Sequence, residues 1–242
     1  MAEPRRRRSV SHAYLLDLLT GQVADWQART GAEHCDVVDV GGGTGFIAMA
    51  LAGLGHSVTV IDPSPDALAS LERRTADARP PGEIRGIQGD ASNLAELVGP
   101  AGADLVVCHR VLEVIDVPAD ALAAMASVLR PGGALSLAVS QRHSVDLSQA
   151  LAGHIASARR IFADPERFDI DRISDLVGSA GFDIVASHGI GAIADHVPES
   201  LLESEAGAYT ELYSLESEIS QDPAFRALAP LVHVFAQMPA AS

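Results

Sequence analysis

The sequence predicts an α/β fold, with seven strands in one sheet and helices on both faces, forming one domain over residues 1–242. Three observations carry that prediction. Short apolar, often β-branched runs alternate with amphipathic stretches at helical spacing, the pattern of a wound sheet. The first run, Val37-Val38-Asp39-Val40, stops at Gly41-Gly42-Gly43-Thr44-Gly45 and passes at once into a helical stretch over 46–52. That order of strand, glycine turn and helix is the unit that binds nucleotides. The first three strands also finish at or beside a carboxylate: Asp39, Asp62 and Asp90.

Taken in order, residues 11–29 place Leu15, Leu16, Leu18, Leu19, Val23 and Trp26 at helical spacing, with Ser11 as the expected cap and Gly31 as the stop. This leading helix is expected to lie against the sheet. After the glycine turn and its helix, Gly55 makes a break and 57–61 form the second strand, ending at Asp62; Pro63 and Pro65 set the entry to a helix over 67–78. Residues 84–88 read as the third strand, followed by Gly89-Asp90-Ala91-Ser92 and a short helix over 94–98. The fourth strand spans 103–108 and leaves His109 and Arg110 at its carboxyl end, where ligands sit in open sheets. A helix over 118–129 leads through Arg130-Pro131-Gly132-Gly133 into a fifth strand over 134–139. Residues 143–171 exceed an ordinary crossover; Leu147, Leu151, Ile155 and Ala158 suggest helix, and the segment is expected to act as a lid. A helix over 172–180, a strand over 181–187, a loop over 189–195, acidic helix over 198–220 and a last strand over 231–236 complete the chain.

The glycines then separate two cofactor classes. A dinucleotide fingerprint needs Gly-x-Gly-x-x-Gly, and here its last position falls on Phe46. The glycines stand instead at Gly41, Gly43 and Gly45, with Asp39 just ahead of the turn. Glycine lets a ligand approach main-chain N–H groups, and the following helix start adds donors and partial positive charge. Asp62, about 20 residues past the first glycine, suits two ribose hydroxyls, because an ionised carboxylate only accepts. Asp90 is placed to accept from an amine, with Ala91 or Ser92 offering a backbone donor; a capping role for Asp90 or Ser92 is compatible with this.

These pieces resemble the class I S-adenosylmethionine (SAM) methyltransferases, whose first motif is a hydrophobic run followed by D/E-x-G-x-G-x-G. The turn Leu129-Arg130-Pro131-Gly132-Gly133 with Ala134-Leu135-Ser136-Leu137 adds to the likeness, as do Leu54-Gly55-His56-Ser57-Val58 and His109-Arg110-Val111-Leu112-Glu113-Val114. Within that class the chain is similar to SmtA-type enzymes and, among them, to the bacterial tRNA 5-carboxymethoxyuridine methyltransferase family. The resemblance implies a Rossmann-like sheet whose last strand is antiparallel, and SAM as the cofactor. It implies cofactor contacts at Gly41, Gly42, Asp62, Ala91, Ser92 and His109; Asp39, Gly43, Gly45, Pro63 and Asp90, on the same turns, are further candidate cofactor-binding residues. Arg8 is the candidate for the amino-terminal arginine that meets the cofactor carboxylate in that family.

Methyl transfer from a sulfonium is an in-line displacement in which the protein mainly orients the partners and keeps the site dry. A carboxylate acceptor is already ionised at neutral pH, with a pKa of about 4, whereas a hydroxyl or amine needs a base. Candidates for acceptor-side catalysis are His109, Arg110, Arg142 and His143, with Gln141 beside them; Arg110 or Arg142 can clamp a carboxylate bidentately. His196 and Tyr209 are further candidates to line the lid. No set of His, Cys and carboxylates has metal-ligand spacing.

Composition narrows the partners. A formal charge of −15 argues against a broad nucleic-acid footprint. All 17 basic residues are arginine, so lysine chemistry is excluded. The region that carries lysines in the tRNA enzymes holds only scattered arginines here, around Arg159 and Arg160, which weakens phosphate binding. The expected acceptor is therefore a small molecule, with a tRNA wobble uridine as the alternative and a non-catalytic SAM-binding module as the third reading; a nicotinamide oxidoreductase is disfavoured by the glycine spacing. Arg5-Arg6-Arg7-Arg8 reads as a solvated terminus. No apolar run can span a bilayer and no leader pattern follows the basic start, so the expectation is a cytoplasmic protein. Cys35 and Cys108 fall at opposite ends of neighbouring strands, about 15 Å apart, beyond disulfide reach.

Overall fold

A computed structural model describes residues 9–240; the Arg5–Arg8 run, and with it Arg8, lies outside them. Seven strands form one sheet in the order β3-β2-β1-β4-β5-β7-β6: β1 (Asp36–Val40), β2 (Ser57–Asp62), β3 (Ile84–Gln88), β4 (Ala103–His109), β5 (Leu129–Ser140), β6 (Asp183–Ile190) and β7 (Leu231–Gln237). β1 pairs in parallel with β2 and β4, β2 with β3, and β4 with β5. β7 runs antiparallel to both β5 and β6, as expected. The order reverses at β1, so the turn after β1 opens at the switch point, where ligands bind in open sheets.

Helices cover both faces. On one lie α1 (Val10–Thr30) and α2 (Phe46–Gly53), packing Leu19, Val23, Trp26, Ala48 and Leu51 on Val37, Val58, Leu105, Val107 and Phe235. α3 (Pro65–Ala78) adds Leu71 to that layer. On the other lie α4 (Leu94–Val98), α5 (Pro118–Val128) and α8 (Ile170–Ser179), whose Leu94, Leu122, Met125, Val128, Ile173 and Val177 meet Val38, Val106, Leu135 and Leu137. The period-two alternation of each strand sorts its side chains between these layers. Cys35 and Cys108 are buried free thiols, as expected. Burial pushes the Cys35 thiol up to about 12, with Asp104 and Asp36 adding to the shift and Arg130 opposing it.

Several boundaries differ from expectation for local reasons. Ser9, not Ser11, caps α1 by accepting from the His12 N–H, and Ser11 donates instead to Asp195. α3 begins at Pro65 because Ser64 caps it. β5 starts at Leu129, ahead of the expected strand, with an irregular ladder between Ala103 and Leu105 that absorbs the Pro131-Gly132-Gly133 turn. The long crossover folds as α6 (Arg142–Leu151) and α7 (Ile155–Phe162) before α8. The expected helix over 198–220 is broken: α9 (Glu199–Ser204) and α10 (Ala208–Ile219) are separated by Gly207 at φ 91°. A further short helix, α11 (Pro223–Leu228), precedes β7. Among the described residues no helix is long and apolar enough to cross a membrane.

Candidate active site

The turn after β1 is shaped by contacts that admit no side chain. Gly41 has φ +68°, and a Cβ there would stand 2.3 Å from Val111 Cγ2. At Gly42 a Cβ would fall 2.4 Å from Asp39 Oδ2. Gly45 (φ +79°) begins α2 against Leu71, 2.1 Å from where its Cβ would sit. Gly43 is different: its φ is +55°, and the nearest neighbour to a Cβ would be Asp62 Oδ2 at 3.8 Å, so its backbone faces open space.

Two buried carboxylates brace this turn. Asp62 accepts from the Gly43 N–H at 2.8 Å through Oδ2 and from the Ser64 N–H at 2.9 Å through Oδ1, which locks the tip of β2 to the glycine turn. Asp39 is 2% exposed, and its Oδ2 has no hydrogen-bond partner among the described residues. Burial, with the Asp62 charge as a second cause, raises the Asp39 carboxyl to about 7. A buried acceptor left without a donor is costly unless a ligand supplies one.

In front of the turn lies a cleft of about 670 Å³ lined by Gly41, Pro63, Asp90, Ala91, Ser92 and Val111, among others. Asp90 does cap: its Oδ1 accepts from the Ser92 N–H at 2.8 Å and the Ser92 hydroxyl at 2.5 Å. Those bonds, the hydroxyl first, lower its pKa. Exposed Val114 and Val117 frame the mouth.

A second, smaller cleft of about 350 Å³ opens toward β5 and β7, with Ser11, His12, Arg110, Ser140, Ser144 and Asp195 on its walls. Arg110 holds φ +59°, a left-handed backbone, and its N–H bonds Ala138 O at 2.7 Å. Its guanidinium has no ion-pair partner among the described residues.

The four acceptor-side candidates are thus dispersed, and of them only Arg110 lines this cleft. Strand alternation turns His109 beneath α1, on the face of Leu105 and Val107, where its Nε2 meets Ser136 Oγ at 2.9 Å. Burial pushes that imidazole down to about 4. Arg142 is paired with Asp169 and its N–H bonds Phe168 O, which ties α6 to the start of α8. His143 faces Asp146 at 3.9 Å. His196 lies in a 3-10 turn, Ala194–His196, and Tyr209 packs against Val10, Ala194 and Leu212. Ser11, His12 and Asp195 escaped the sequence reading, because nothing in their spacing links them across the chain.

A glycine turn at the switch point, two buried acids behind it and a nucleoside-sized cleft before it define the chain as a SAM-dependent methyltransferase. Residues 37–133 match the family described as "Methyltransferase domain". The chain is 26% identical over 221 residues to the tRNA 5-carboxymethoxyuridine methyltransferase of Escherichia coli O157:H7, covering 88% of this chain and 83% of that protein. It is 32% identical over 126 residues to the ubiquinone biosynthesis O-methyltransferase of Xanthomonas campestris pv. campestris (strain B100), 52% of each chain. In fold it is similar to a SAM-dependent methyltransferase from Methanosarcina mazei, with TM-score 0.60, 18% identity, and coverage of 87% of this chain and 95% of that one.

The residues present fit SAM: the partnerless Asp39 oxygen lies against Gly42 in the glycine turn, and the next residue, Gly43, has open space where a Cβ would stand. Among the described residues there is no group of acids, histidines and cysteines that could hold a metal ion.

Proposed function

We propose that this enzyme methylates an oxygen of a small-molecule acceptor, a carboxylate, held in the cleft beside Arg110. Asp62 would hold the ribose hydroxyls, and Asp90 with the Ala91 and Ser92 backbone the adenine. Asp39 would meet the positive charge of the amino-acid end, and Gly41, Gly42, Gly43 and Gly45 would let that end approach the main chain. His109 contributes from beneath, and Pro63 walls the ribose. When bound, SAM supplies a methyl group already activated on a sulfonium, so the protein's work is orientation and exclusion of water. α6 and α7 are the lid, with Ser144, Val145 and Ser148 closing the acceptor side.

The observation that carries this reading is the Arg110 guanidinium, without an ion-pair partner at the wall of a cleft sized for a small molecule. A carboxylate pairs with it bidentately and needs no base. No strong base is needed from His109 or His143. Arg142 belongs to the support through Asp169, and His143, in the first turn of α6, faces Asp146.

A second reading, a tRNA wobble-uridine carboxymethoxy group as acceptor, is favoured by the relative similar over 88% of this chain. The acid excess, with charge −15, weighs against it. Transfer from methyl-labelled SAM separates the two. Label in a panel of small carboxylic acids, as base-labile ester, supports the first. Label only in bulk tRNA overturns it in favour of the second.

A further inference from the structure

We propose that a buried hydrogen-bond relay across four neighbouring strands, from Gln221 to His109, fixes His109 as an Nδ1–H donor to a carboxylate oxygen of the bound cofactor or acceptor. The inference rests on the methyl-transfer reading above and goes beyond it. It assigns roles to Gln221, His188, His233 and Ser136, which act through His109 and are positioning residues.

The relay lies on the face of the sheet beneath α1. Gln221 Nε2, on an exposed residue, is 3.1 Å from His188 Nε2. His188 Nδ1 is 3.4 Å from His233 Nδ1, with the two ring planes inclined at 28°. His233 Nε2 is 2.9 Å from Ser136 Oγ, and that hydroxyl is 2.9 Å from His109 Nε2. His188, His233 and Ser136 are at most 4% exposed. The far end, His109 Nδ1, is shielded from solvent and has no partner among the described residues.

Each link follows from the one before. An amide nitrogen only donates, so His188 Nε2 accepts. A neutral imidazole carries one proton, so that of His188 sits on Nδ1 and is donated to His233 Nδ1. His233 must then be protonated on Nε2, donating to Ser136. The serine has one hydroxyl proton, and it goes to His109 Nε2. His109 is left with its proton on Nδ1, the atom that lacks an acceptor. Neutrality of the three rings is enforced by burial, which lowers all their pKa values, and by Arg226 near His188 and mutual repulsion at His233. A buried N–H without an acceptor is rare in folded chains, and a ligand oxygen satisfies it. A carboxylate is the acceptor that a neutral donor holds most strongly; both the cofactor's amino-acid end and the proposed acceptor carry one.

Long-range proton–nitrogen correlation on the full-length, histidine-labelled protein reads the tautomers directly. The expected wild-type result is His109 with Nδ1 protonated. Gln221→Glu places an acceptor-only group at the surface end and reverses every link, so His109 changes to the Nε2–H form and loses about tenfold in affinity for its carboxylate ligand. Ser136→Ala cuts the relay: His109 populates both tautomers while His188 and His233 keep theirs. S-adenosylhomocysteine (SAH) that moves the His109 Nδ1–H signal downfield assigns the oxygen to the cofactor. A shift only when benzoate is added to the SAH complex assigns it to the acceptor. An Nε2–H His109 in the wild type, a tautomer unmoved by Gln221→Glu, or a signal indifferent to both ligands overturns the proposal. Failure of SAH to bind by calorimetry, with the relay polarity intact, would instead strike the methyl-transfer reading.

Discussion

The cleft before β1, β2 and β3 and the smaller cleft beside β5 and β7 share one edge of one sheet, yet their walls have different origins. The first is largely backbone: glycines whose Cβ positions are occupied, and carboxylates at strand tips that bind N–H groups of adjacent turns. The second is assembled from side chains on α1, α6, the end of β5 and the turns around β6 and β7. Its loop is held by one residue. Glu216 of α10, fully buried, accepts from the N–H groups of Gly191 and Ala192 through Oε1 and of Ile193 and Ala194 through Oε2, at 2.5–3.1 Å. That loop carries Asp195, which in turn takes the Ser11 hydroxyl of α1. Local geometry builds the first cleft; a few long-range polar contacts build the second. Chemistry common to many acceptors needs only the first, and the second is free to change with substrate.

Glu216 is the clasp of the second cleft, and its loss should have the largest effect. Glu216→Ala leaves four N–H groups without their acceptor, two of them on buried residues, and should cost about 3 kcal/mol or more. Urea unfolding should show that loss, while SAH affinity of the folded variant changes less than about threefold, because no cofactor-cleft wall depends on it. Equal damage to SAH binding would mean the two clefts are one unit. The reciprocal variant, Asp62→Ala, removes the acceptor of the Gly43 and Ser64 N–H groups as well as the proposed ribose partner. Charged hydrogen bonds of about 1.5–3 kcal/mol predict a fall in SAH affinity of roughly 10- to 100-fold, read by calorimetry. The loop around Asp195 should keep its protection from hydrogen exchange.

The same contrast decides what the sequence could reveal. The seven strands, the antiparallel close and the glycine turn with its acidic strand tips were legible because their signals are short: Asp39 through Gly45 lie in one stretch, and Asp62 and Asp90 follow at strand tips. The smaller cleft was not. Ser11 meets Asp195 across 184 positions, a distance over which no spacing rule acts, and Ser9 was equally able to cap α1. Arg142 looked available because Asp169, its partner, stands 27 residues away in a helix cap. His109 was placed at the ligand edge by its position after β4. Its alternation with Val107 turns the ring under α1 toward Ser136 instead. Gly207 lay in plain view as a break between α9 and α10, outweighed by the acidic helical pattern around it.

Arg110 tests the acceptor side alone. Its guanidinium makes no ion pair among the described residues, so removing it leaves no buried charge stranded. Arg110→Leu should raise KM for a carboxylate acceptor by about 20-fold, the equivalent of roughly 2 kcal/mol for a charge-assisted pair. SAH affinity should stay as in the wild type. A loss of SAH binding, with KM unchanged, would move Arg110 to the cofactor side and undo the division.

The smallest expected effect probes the cofactor side without disturbing its walls, through pH. Asp39 has a carboxyl raised from its ordinary 3.8 to about 7 by burial, with Asp62 as the second cause. The ligand-free fold therefore binds this proton more tightly than the unfolded chain does. The stability this contributes is complete below pH 3.8 and is lost as pH rises through about 7. A cationic amino group near the partnerless oxygen favours the ionised carboxylate and lowers that pKa, so binding below neutrality must release a proton. SAH affinity should rise about tenfold between pH 6 and pH 8 and level off above, by the ratio of ionised fractions for a group titrating near 7. Calorimetry in two buffers of different ionisation enthalpy measures the released proton. Asp39→Asn cannot titrate and should flatten the pH profile of the remaining affinity. A profile in the variant as steep as in the wild type would assign the proton elsewhere and leave Asp39 as a brace for Gly42 alone, a role its Oδ2 already fills by occupying the space of a Cβ at that position.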